Sequence, residues 1–189
     1  MIRWVSLATL LALALPAAAP AAVAVVSNGH ARSCFEAAER DRPARDALRK
    51  CNHALDDDRL PQGDWAATLV NRGIVQMQAR NIAAAIADYD AAIKAAPDIA
   101  DAYVNKGIAL LRLGEHDAEA VKQLTEGLSR NPPQPAIAYY SRAVANEQLG
   151  RTREAYEDYS RAAQLAPEWA EPVEQLQRFR VVKGKTLQG

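Results

Sequence analysis

The chain has 189 residues, 49% of them hydrophobic, 6% aromatic and 24% charged, which is enough apolar content to bury a core and excludes global disorder. Alanine fills 40 positions while Gly and Pro together fill only 19, so collagenous, low-complexity and all-β chains are excluded and helix is favoured. The 23 Lys and Arg are balanced by 23 Asp and Glu, which removes the basic footprint of a general nucleic-acid binder.

Residues 1–28 carry one charged side chain, Arg3. Leu7, Leu10, Leu11, Leu13 and Leu15 form an apolar run, followed by Pro16, a string of alanines and Pro20. A basic start, a short apolar run and small residues make the pattern of a secretory signal peptide over residues 1–24, with cleavage after Ala21 or Ala24. The competing reading is an uncleaved anchor, because the 23 residues from Trp4 to Val26 carry no charge and are long enough to span a bilayer. Two prolines and weakly apolar alanines count against it. Cys34 lies too far past the apolar run for a lipoprotein. Removal of residues 1–24 leaves 165 residues, a net charge of −1 and no expected stable membrane span. Such an Ala/Arg-rich exported chain reads as bacterial, and periplasmic or secreted.

Residues 25–63 read as a divergent helical hairpin. A short helix, about 33–40, precedes a turn at Asp41-Arg42-Pro43, and Ala47, Cys51 and Ala54 stand 38 residues before Ala85, Tyr89 and Ala92. Cys34 and Cys51, the only cysteines, are equidistant from that turn, so an antiparallel hairpin brings them level. In an oxidising compartment this predicts a Cys34–Cys51 disulfide; two buried free thiols are the alternative. Asp56-Asp57-Asp58 lacks the Gly and distal Glu of an EF-hand loop and reads as a solvated link, with Asp64 as the N-cap of the next helix.

The remainder is periodic. Pro97, Pro132 and Pro167 are 35 residues apart, as are Ala85, Ala120 and Ala155, and Tyr89, Leu124 and Tyr159. The segments around Gly73, Gly107 and Ala143 align at spacings of 34 and 36. Each unit reads as two helices: in the third, one runs over 135–149 to Gly150 and the other over 152–166 to Pro167. Small residues at Gly73, Gly107 and Ala143, opposite Ala85, Ala120 and Ala155, let the helices approach, with Tyr89, Leu124 and Tyr159 filling the next layer. The units span 64–99, 100–134 and 135–168. Residues 169–189 are a capping helix and tail, with the helix reaching residue 182 and Trp169, Val173, Leu176 and Phe179 packing on the last unit.

The 34-residue period, the small residue of the first helix, the turns at Gly114 and Gly150 and the terminal proline resemble the tetratricopeptide repeat (TPR). The resemblance covers about residues 66–167 and implies an all-α, right-handed α-solenoid: three clear helix-turn-helix repeats, one divergent N-terminal unit and a capping helix. It also implies a concave groove lined by first helices. The family's groove columns fall on Val70, Asn71, Ile74 and Met77 in one repeat, Val104, Asn105, Ile108 and Leu111 in the next, and Tyr140 and Val144 in the third. Asn71 and Asn105 resemble part of a clamp for a peptide carboxylate, but Ile137 and Ser141 stand where its last basic residues would be. The groove therefore reads as apolar with a few amides, suited to an amphipathic helix or an extended apolar peptide. Two alternatives stay open: these columns pack only against neighbouring helices, or residues 25–32 cover them.

No catalytic set emerges. His30, His53 and His116 carry no ligand spacing, and there is no phosphate loop, His-Glu-x-x-His, Cys-x-x-Cys or Gly-x-Ser-x-Gly. The expectation is a non-enzyme without cofactor or metal, which binds a protein or peptide through the groove. Self-association into a homodimer through the same surface is the alternative. Arg72, Lys106 and Arg142, interleaved with acids, read as a solvated ion-paired face.

Overall fold

The computed structural model describes residues 2–6, 21–27, 29–40, 44–56 and 59–183. In chain order the described residues form β1 (Ile2–Ser6), α1 (His30–Glu39), α2 (Ala44–Leu55), α3 (Gln62–Gln78), α4 (Ile82–Ala95), α5 (Ala100–Leu113), α6 (Asp117–Ser129), α7 (Pro135–Gln148), α8 (Thr152–Leu165), α9 (Ala170–Leu176) and β2 (Phe179–Lys183). Helices pair as α1/α2, α3/α4, α5/α6 and α7/α8, and each second helix also packs on the first helix of the next pair. The first helices α3, α5 and α7 touch in succession, so they line one side of the stack. The architecture is the helical solenoid that the repeat pattern implies.

Local chemistry sets the helix ends. Gly114 and Gly150 adopt φ of +82° and +71° after α5 and α7, a conformation that costs glycine little. Arg80 does the same job after α3 with φ +61°, without a glycine. Pro97 and Pro167 stand just beyond α4 and α8, where a missing N–H cannot extend a helix. Pro135 occupies the first turn of α7, where that N–H is not needed.

Packing inside each pair is closer than the sequence implied. A Cβ at Gly73 would lie 2.4 Å from Tyr89 Cε1, and one at Gly107 would lie 2.5 Å from Leu124 Cγ. The bulky column therefore fills the space directly opposite the glycine, not the next layer. Tyr89, Leu124 and Tyr159 are fully buried. Between pairs, charged side chains bridge three helices. Arg72 donates to both carboxylate oxygens of Asp88, at 3.0 and 2.6 Å, and to Asn52 at 3.0 Å. Arg142 repeats this with Asp158, at 2.8 Å to each oxygen, and Thr125, at 3.1 Å. Lys106 instead meets Asp90 at 2.8 Å and Glu119 at 3.5 Å. Asp88 and Asp158 are buried, so these pairs are more enclosed than a solvated face.

The two ends depart from the sequence reading. The C-terminal helix expected to reach residue 182 stops at Leu176, and residues 179–183 form β2, antiparallel to β1 with Ile2 opposite Lys183 and Ser6 opposite Phe179. Phe179-Arg180-Val181-Val182 is β-rich, and pairing to another strand outcompetes helix there. Trp169, Leu176 and Phe179 do pack on the last repeat, whereas Val173 is exposed. At the other end α1 starts at His30, three residues earlier than expected. Cys34 and Cys51 are bonded and buried, with Cα atoms 4.6 Å apart.

Two stability outcomes follow. Reducing the Cys34–Cys51 bond, or replacing both cysteines by Ala, lowers the urea-unfolding free energy by roughly 3 kcal/mol on the chain-entropy estimate for a short closed loop. Gly73→Ala destabilises by roughly 1–3 kcal/mol, because the methyl meets the Tyr89 ring. Gly63→Ala, where the new Cβ meets nothing within 4 Å, is neutral or stabilising; thermal melts of the two variants give the comparison.

Candidate functional site: the concave face and its strap

Asp64, Ala67, Asn71 and Ile74 recur at three- and four-residue spacing on α3 and so share one face of it. Along that face lie residues 21–27, without helix or strand assignment, extended as far as Val25 and bent at Val26 and Ser27. Asn71 clasps it in both directions: its Oδ1 accepts from the Val23 N–H at 2.8 Å, and its Nδ2 donates to the Val23 carbonyl at 2.8 Å. Asn105, one repeat further on, donates to the Ala21 carbonyl at 3.5 Å. At the start of α3, Asp64 Oδ1 accepts from the Val26 N–H at 3.0 Å, and Oδ2 accepts from the Ser27 N–H at 2.6 Å and from the Ser27 hydroxyl. The segment thus runs from α5 back to α3, against the order of the repeats, before entering α1.

From Val23 to Val26 its side chains alternate as in a strand. Val25 is buried among Ala31, Ala54 and Ala67, with Phe35 and Leu60 at the rim, whereas Ala24 and Val26 are exposed. Ala22 and Val23 pack on the cluster that contains Val70, Ile74 and Met77. This settles where the groove columns go. Val70, Asn71, Ile74 and Met77 are buried beneath the strap or in the core under it. Val104 turns toward α6, since a Cβ at Gly127 would sit 2.6 Å from its Cγ2, and Ile108 lies in the same cluster with Leu111 half-buried beside it. Tyr140 packs at a tilt against Trp169 and edge-to-face against Tyr159, with ring centroids 4.8 and 5.3 Å away, and Val144 shares that cluster with Phe179. The strap covers the first full repeat and the C-terminal cap covers the third.

Asp64 is the residue that sequence reasoning assigned differently. It was expected to cap α3, but the helix begins at Gln62 and the carboxylate is spent on the strap. No pattern in the sequence pairs it with Ser27, 37 positions away. The covering segment is also 21–27 and not 25–32, because residues 30–32 already belong to α1. The histidines differ too: His30 and His53 come together with rings stacked 5.2 Å apart, while His116 lies elsewhere at the start of α6. Among the described residues no group of three or more His, Cys, Asp and Glu is placed to hold a metal. No helix among them is long and apolar enough to cross a membrane. The apolar run of the expected signal peptide, residues 7–20, lies outside the described residues.

A family model described as tetratricopeptide repeat matches residues 70–122 and 118–168, more than half of the chain. The chain belongs to the tetratricopeptide repeat family. The solved structures agree. It is similar to a crystal structure of MamA at 20% identity and a TM-score of 0.63, covering 76% of this chain and 80% of that one. It is similar to the Arabidopsis OM64 TPR domain at 24% identity and a TM-score of 0.59, over 62% and 96%. It is also similar to the first TPR of Spaghetti (RPAP3), bound to the HSP90 peptide SRMEEVD, at 26% identity and a TM-score of 0.56, over 59% and 87%. No curated protein sequence matches.

In this TPR chain, burial pushes the Asp64 carboxyl up, but the Ser27 hydroxyl and the Val26 and Ser27 N–H groups outweigh it and hold the pKa below the ordinary 3.8. The charged form grips the strap, so its contribution to stability is complete above pH 3.8 and is lost as pH falls through the lower folded value. Asp64→Asn is therefore expected to be less stable than wild type at pH 7, with the gap closing below pH 3.8 in urea titrations at each pH.

Proposed function

We propose that this TPR protein is an exported, non-catalytic scaffold, periplasmic or secreted, that binds an apolar or amphipathic segment of another protein on its concave face. One observation carries the reading. Asn71 pairs with the N–H and C=O of a single residue of an extended segment, as it would with a bound peptide. Support comes from the family, whose similar member Spaghetti (RPAP3) is solved with a peptide. A signal-like N-terminus and a buried disulfide fit an oxidising compartment outside the cytoplasm. The two cleavage points differ in consequence. Cleavage after Ala24 removes Val23 from Asn71, whereas cleavage after Ala21 leaves that clasp in place.

Expression in a bacterium followed by fractionation and mass measurement tests the export half. The expected product is a periplasmic chain of 165 or 168 residues carrying an intact disulfide. A full-length product in the membrane fraction argues for an uncleaved anchor. Light scattering of the same material separates the partners: a monomer supports a separate ligand, and a concentration-independent dimer supports self-association.

A further inference from the structure

The strap shows what kind of segment the concave face accepts, and this inference rests on that face being a peptide site. Three features of the contact restrict the ligand. The Asn71 side chain exchanges two hydrogen bonds with the main chain of Val23. A helical ligand spends its N–H and C=O groups on itself, so only an extended one can use this amide fully. Val23 and Val25 face in while Ala24 and Val26 are exposed, a period of two; the chain then bends at Val26 and Ser27, which turns both N–H groups toward one carboxylate. The Val25 socket is walled by Ala31, Ala54 and Ala67, whose small side chains give room for a valine. At that bend Asp64, itself buried, accepts two consecutive N–H groups and a hydroxyl.

We propose that the concave face of the first full repeat is a binding site for an extended strand with small β-branched residues two apart that ends in a bend carrying a hydroxyl residue, read through its main chain by Asn71 and Asp64. Residues 21–27 are the resident copy in a chain that is uncut or cut after Ala21, and a partner strand gains the site by displacing them. The occupant is a segment of another polypeptide with this alternating chemistry. Charge contributes little to selection, since the resident segment carries no charged side chain. Because the resident strand is tethered, its effective concentration is on the order of millimolar, and a free strand competes poorly until the tethered one is loosened.

The test uses the full-length chain and a fluorescein-labelled synthetic peptide of residues 21–27, Ala-Ala-Val-Ala-Val-Val-Ser, followed by fluorescence anisotropy. Val23→Pro removes the N–H given to Asn71 and loosens the resident strand; the peptide is expected to bind this variant at least about tenfold more tightly than wild type. The same peptide carrying N-methylvaline at its third position keeps the side chain but lacks the N–H, and is expected to bind Val23→Pro at least about tenfold more weakly. Equal, measurable binding of the two peptides to a Val23→Pro chain that keeps its helical circular dichroism overturns main-chain reading. Equal binding of the parent peptide to wild type and Val23→Pro overturns self-occupancy. If neither peptide binds a Val23→Pro chain that keeps its helical circular dichroism, a labelled amphipathic helical peptide decides what else falls: its binding leaves the concave-face reading standing without the strand inference, and its failure removes both.

Discussion

The distance between the two helices of a pair is set by a hydrogen atom. At Gly73 and Gly107 the absence of a Cβ lets Tyr89 and Leu124 lie flat on the neighbouring backbone, closer than any side chain would permit. That contact buries the largest side chains of the second helices and fixes the spacing at which each pair meets the next. With the spacing fixed, the Arg72–Asp88 and Arg142–Asp158 pairs reach a third helix in the preceding unit, through Asn52 and Thr125. The first helices then fall in line, and a continuous concave face results. Many of the alanines serve the same end: Ala85, Ala120 and Ala155 are fully buried where small size, not helix propensity, is what the packing needs.

The concave face is a polar problem solved by a peptide. Asn71 is fully buried and Asp64 nearly so, and either would be costly without partners. The strap supplies those partners from main-chain groups, which every polypeptide carries. Any chain segment that can lie extended offers the same groups, which is why the proposed ligand is another such segment. The buried Tyr89 hydroxyl marks a contrast: among the described residues it has no hydrogen-bond partner, whereas the hydroxyl of Tyr159, its counterpart in the third repeat, donates to Glu147 at 3.1 Å.

The periodic part of the fold was legible because it repeats. Gly73, Gly107 and Ala143, the buried aromatic or leucine columns and the terminal prolines each recur at nearly constant spacing, and together they imply the helix pairs that the structure contains. Cys34 and Cys51 were legible because a hairpin turn makes equidistant residues neighbours. Asn71 was placed on the concave face by its column, but what it would hold was not. The strap contacts join residues 37 to 84 positions apart outside any repeat, and period carries no information about them. The ends were misread for a related reason: the apolar residues after Leu176 suit a cap of either helix or strand, and the choice depends on a partner from the opposite terminus.

That partner is temporary if the chain is processed. β1 is residues 2–6, upstream of both proposed cleavage points, so its whole register with β2 would be lost with a cleaved signal peptide. Phe179–Lys183 would then keep its extended tendency and lose the neighbour that satisfies its N–H and C=O groups. An unpaired sheet edge is a template for a strand from elsewhere. Cleavage after Ala21 would therefore turn a chain zipped terminus to terminus into one with an unpaired strand at the far end of the solenoid from its strap.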